Sequence, residues 1–178
     1  MGVDKQTNLI EMRTLLSIIL TVVFSLSVLA QKEGSVFSFA GKVYLGTEKG
    51  EDVKISLFDN NKKISSYKTA KNAKFIIDVE RNKHYTIQFE KKGYITKRLI
   101  IDTYVNERDA MGVKTFKFDV ELFKEEKGKN YAILDFPIAI IEFNHISKEF
   151  SYNQKYTKSM LDVQDDVLTG KRINIAAN

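Results

Sequence analysis

The stretch Phe89–Ile101, FEKKGYITKRLII, holds two runs of alternating apolar residues joined by Lys91-Lys92-Gly93-Tyr94. Such alternation puts every second side chain on one face, the mark of a half-buried strand. The stretch therefore reads as two strands meeting at a corner. Gly93 can take a positive φ without a Cβ clash, and Tyr94 can lay its ring over the end of a sandwich with its hydroxyl in water. Lys91 and Lys92 are expected to point into solvent and discourage edge pairing. A basic, aromatic ligand loop is the alternative reading of the same four residues.

Outward from this corner the period of two persists. Toward the N-terminus lie SVFSFAGKVYL (Ser35–Leu45), VKISLFD, the weaker ISSYKT, KFIIDV and HYTIQFEK. Toward the C-terminus, ITKRLIID aligns Ile95, Lys97, Leu99 and Ile101, and TFKFDVEL aligns Phe116, Phe118, Val120 and Leu122. The segments between them are polar; DNNKK reads as a turn because Asp and Asn tolerate left-handed backbone. Seven short strands separated by polar turns predict a mainly β fold, a seven-stranded antiparallel β-sandwich.

Past a charged linker the pattern changes. PIAIIEF and KEFSYN predict a C-terminal β-hairpin, with Pro137 suited to a strand's first residue or an edge. One amphipathic helix over about 155–169 follows: Tyr156, Met160, Val163 and Val167 fall on one stripe, widened by Leu161 and Leu168. Asn153 is the expected N-cap and Gly170 the expected stop. A stripe of this kind packs on its own domain or serves as a docking helix for a partner.

At the other end, Leu15–Leu29 is an uninterrupted apolar run preceded by Arg13 and followed by Val28-Leu29-Ala30, with small side chains three residues and one residue before the polar Gln31. This predicts a secretory signal peptide over residues 1–30, cut between Ala30 and Gln31. Met12 opens MRTLLSIIL and is a second candidate start. An uncleaved N-terminal anchor is the alternative, though the run is shorter than the ~20 residues that a spanning helix needs. The mature chain is expected to be exported, to the periplasm or cell surface, with no integral membrane span. Residues 31–124 are then the sandwich, and 125–178 a C-terminal extension.

Composition narrows the functions. The chain has no Cys, which excludes disulfides, a thiolate nucleophile and Cys-based zinc sites. Its net charge of +5 comes from 28 basic and 23 acidic residues with the signs interleaved, whereas nucleic-acid binding calls for a concentrated basic face. His84 and His145 show no metal-ligand spacing, and Asp59-Asn60-Asn61 lacks the alternating ligands of a calcium loop. Carboxylate pairs such as Glu51-Asp52 are adjacent, so on a strand they diverge to opposite faces. No metal, cofactor or catalytic residue is expected.

The order of these motifs resembles the carboxypeptidase-regulatory-like modules, which have a transthyretin-like (prealbumin-like) sandwich. The matching residues are Gly41 with Val43, Val53 with Ile55 and Leu57, Phe75 with Ile77, Tyr85 with Ile87 and Phe89, and Gly93 with Tyr94. The match runs roughly from Phe39 to Leu122. One departure is Asn72-Ala73, where the family usually has Asp-Gly before the aromatic strand. The resemblance implies an accessory module of exported systems. The expectation is a non-enzymatic module for protein–protein assembly or envelope architecture, with an envelope or cell-surface protein as partner. A carbohydrate-binding module is the alternative, with a glycan held on exposed tyrosines such as Tyr94, Tyr104 or Tyr152.

Overall fold

The computed structural model describes residues 36–170. Ala30 and Gln31, the expected cleavage site, lie outside the described residues. No helix among those described is long and apolar enough to cross a membrane.

The fold is mainly β, two sheets packed face to face. The smaller is built on β1 (Val36–Leu45), which pairs antiparallel with β2 (Glu48–Lys49) and β5 (Lys74–Glu80). The larger has six strands in the order β11 (Glu149–Tyr152), β10 (Ala139–Asn144), β7 (Lys97–Asp102), β6 (His84–Glu90), β3 (Lys54–Asp59) and β4 (Lys62–Lys68). The expected hairpin and helix are both present: β10 and β11 pair antiparallel, and α2 spans Gln154–Thr169. A single turn, α1 (Glu107–Ala110), lies between the sheets in sequence.

Three pairings differ from an all-antiparallel sandwich. The last predicted strand is two short ones, β8 (Phe116–Lys117) and β9 (Val120–Leu122), and both run parallel to β1. Strand β10 runs parallel to β7. The segment after residue 124 is therefore not an appended extension. It completes the larger sheet, and the described residues 36–170 belong to one compact unit. The expected boundary at 124/125 is corrected accordingly.

The inward rows make the core. Phe37, Phe39 and Val43 of β1 face Ile55, Ile87, Phe89, Leu99 and Ile101, all buried. Rings interlock across the layers, with Phe39 and Phe150 centroids 4.9 Å apart and Phe75 and Phe89 5.4 Å apart, each edge to face. Each such ring contributes about 1.5–3 kcal/mol by leaving water.

Turns follow residue chemistry. Between β3 and β4, Asn60 and Asn61 both take positive φ, +46° and +65°, as a two-residue hairpin with matched twist requires. At the Asn72-Ala73 departure the turn geometry is kept. Ala73 sits at φ +57°, where glycine is the usual occupant, while the Asn72 side chain accepts the Lys74 N–H at 3.1 Å.

Candidate functional site

The Lys91–Tyr94 stretch is a corner. Tyr94 N–H donates to Lys91 C=O at 3.0 Å, and Gly93 takes φ +81° between them. The half-buried Tyr94 ring packs on the core, and Tyr94 bridges to Lys124. The expectation of two solvent-facing lysines needs correction at Lys91, whose ammonium donates to the Glu51 carbonyl at 2.7 Å.

The helix stripe is turned onto the chain's own body. Val167 is buried with Ile95 and Leu134, and Val163 packs against the same cluster. The Tyr156 hydroxyl donates to the Pro137 carbonyl at 2.8 Å, and Met160 is half-buried. A docking role for Tyr156, Met160, Val163 and Val167 is thereby corrected: intramolecular packing takes up the face that a partner would need.

The tyrosines considered for a glycan do not form a common platform. Tyr94 and Tyr104 lie beyond opposite ends of β7, which at ~3.3 Å per residue separates them by the length of the strand. Tyr152 is half-buried, its ring edge-on to Phe116 at 5.4 Å. The histidines are apart as well: His84 Nδ1 lies 3.7 Å from Asp102, and His145 Nδ1 lies 3.6 Å from Asp109. Among the described residues no group of three or more His, Asp or Glu is placed to hold a metal.

Two other places combine unusual chemistry. The first is the outer face of the smaller sheet. The β1–β5 register sets Lys42 directly opposite Lys74 and Ala40 opposite Ile76, and the β1–β8 register sets Lys117 beside Ala40. Among the described residues none of these three exposed lysines has a carboxylate oxygen within 4.0 Å of its ammonium. Directly opposed like charges destabilise a sheet. Ile76, among them, is 66% exposed. This face ends at the free edge of β5, and β4 is the neighbouring free edge of the larger sheet. The Tyr67 hydroxyl of β4 reaches across and donates to the Ile76 carbonyl at 3.2 Å.

The second is a cleft of about 520 Å³ between β7, β10, β9 and α2. Its floor is the inner face of β7 and β10 (Lys97, Leu99, Ala139), one wall is Asp119–Glu121 on β9 and its approach, and the other is the first turns of α2. Lys97 occupies the core-facing row of β7 by strict alternation with Leu99 and Ile101. Its ammonium stands 4.5 Å from the centre of the Phe123 ring. Among the described residues no carboxylate comes within 4.0 Å of it. Loss of water around the charge pushes the Lys97 amine down to about 8, with Glu121 pulling weakly the other way. Thr157 of α2 lines the same cleft, and its Oγ1 is buried with no hydrogen-bond partner among the described residues. Lys97 is visible in the sequence as a charge inside an apolar row; Thr157 carries no such signal.

No family model matches the chain, and no curated protein matches it. Among solved structures it is similar to 3-chlorocatechol 1,2-dioxygenase from Rhodococcus opacus 1CP, at 11% identity and TM-score 0.39, over 54% of this chain and 62% of that one. It is similar to hydroxyquinol 1,2-dioxygenase from Pseudomonas putida DLL-E4, at 10% identity and TM-score 0.37, over 54% and 59%. It is also similar to the Bacillus anthracis TIE protein, at 13% identity and TM-score 0.39, over 50% and 17%. The chain spans less than two thirds of each of these proteins. Likenesses this distant transfer no activity or ligand. They do correct the expectation of a chain without enzymatic activity, because the structures that it partly matches include dioxygenases.

Proposed function

We propose that the chain is an exported β-sandwich module of the carboxypeptidase-regulatory-like kind that assembles with another protein of the cell envelope or surface. One observation carries this reading: Lys42 and Lys74, opposed and without a carboxylate partner among the described residues, stand beside the exposed Ile76 on the outer face of the smaller sheet. This arrangement costs stability in the free chain. A partner presenting acidic side chains around an apolar one would neutralise the lysines and cover the isoleucine. Such complementarity speeds encounter and sets orientation.

Site-specific photo-crosslinking in intact cells tests the proposal. A photoreactive residue at position 76 is expected to give one discrete protein adduct, and the same residue at position 146, on the exposed β10–β11 turn, none. Charge reversal of Lys42, Lys74 and Lys117 together is expected to abolish the adduct. No discrete adduct at position 76, or an adduct indifferent to charge reversal, would overturn the reading.

A further inference from the structure

We infer that the cleft between β7, β9 and α2 binds the carboxylate of a small acid with an apolar body, with Lys97 as the cation that receives it. The site meets the lysine face at Asp119, but its ligand is a small molecule held by Lys97, so the inference does not depend on the assembly proposal.

A charge in an apolar row needs a counter-charge or water, and burial without either is costly. Lys97 has the Phe123 ring on one side and the cleft on the other. Cation–π attraction offsets only part of the lost hydration. The rest of the lining is suited to an amphipathic guest. Leu99, Val120, Ile138, Ala139 and Leu161 supply apolar wall. Thr157 lines the wall through its other atoms, its Oγ1 being buried. The volume falls within the ~300–1,000 Å³ of small-molecule sites.

Among the described residues, the carboxylates around the cleft are engaged elsewhere or lie beyond 4.0 Å of the ammonium. Asp119 accepts the Lys42 backbone N–H at 2.8 Å, and Asp162 is paired with Lys158 at 2.9 Å on the helix surface. Glu121 is exposed and beyond 4.0 Å from the ammonium. Tyr152 is held protonated by burial and by Asp119, so at neutral pH it brings no charge. A ligand carboxylate would therefore be the nearest anion to Lys97, and its apolar body would displace water from the walls.

The pH dependence follows from linkage. An anion beside Lys97 favours the ammonium and raises its pKa from about 8 toward the ordinary 10.5. Binding then takes up a proton across that interval. Affinity should hold level below pH 8 and weaken by up to about tenfold per pH unit above it.

Calorimetry of the full chain with octanoate, and with octanol as the uncharged analogue, tests this. Octanoate is expected to bind one to one, weakening above pH 8; octanol is expected to bind more weakly and without that pH dependence. Lys97→Met should weaken octanoate by tenfold or more. An independent reading is the NMR titration of the Lys97 side chain, whose midpoint should move up by a unit or more when octanoate is present. No saturable binding, equal binding by Lys97→Met, or an unmoved Lys97 midpoint would each overturn the inference.

Discussion

Two glycines of the same apparent motif do different physical work. A Cβ built on Gly41 would lie 1.6 Å from the Phe118 carbonyl oxygen and 2.7 Å from its carbon. Both are backbone atoms of the segment between β8 and β9 that lies alongside β1, so neither can yield. Gly93 has open space around it and is needed only for its φ of +81°. In chemical denaturation, Gly41→Ala is expected to lose about 3 kcal/mol and Gly93→Ala about 1 kcal/mol. Equal losses would refute this division of roles. Lys97 makes a prediction of the opposite sign. Its folded pKa of about 8 lies below the ordinary 10.5, so the unfolded chain holds the proton more tightly between these values. The burial penalty is complete below pH 8 and fades as pH rises toward 10.5. Replacement by Met should therefore stabilise the chain by about 1–2 kcal/mol at pH 7, with allowance for water at the rim, and the gain should vanish by about pH 10.5. Paired denaturation curves at pH 7 and 10.5 measure it.

At the scale of elements, β-strands and turns obey local rules, and much of this was readable in advance. The Asn60-Asn61 hairpin and the α2 caps stand where composition put them. The Asn153 side chain accepts the Tyr156 N–H at 3.0 Å, and Gly170 takes φ +75°. The lysine face was not readable, because Lys42 and Lys74 belong to different strands and only register sets them opposite. That register makes a testable claim about the sheet. Lys74→Glu converts a repulsive cross-strand pair into an attractive one, and should raise stability by about 0.2–1 kcal/mol while weakening partner capture. A thermal-unfolding comparison checks the first half. Loss of stability would indicate that the lysines serve the fold and not an interface.

The whole molecule depends on its C-terminal third. Phe150 of β11 packs edge-on to both Phe37 and Phe39 of β1, and Ile141 and Phe143 of β10 are buried in the same core. A chain ended after Lys124 would uncover these rings and leave β7 with an open edge. It is expected to bind hydrophobic dyes and to lack a cooperative unfolding transition, as measured by near-ultraviolet circular dichroism on heating. A cooperative transition would restore the boundary at 124/125.

Alternation by itself determined the class of this protein: it assigns each side chain to one of two faces, and two such faces must be buried against each other. It also exposed Lys97 as the one charge in the inner row of its strand. What lies across from a given face depends on contacts between residues far apart in the chain. The parallel joins of β1 to β8 and β9 and of β7 to β10, the facing lysines, and the cleft beside the Lys97 ammonium were therefore decided only in the tertiary structure.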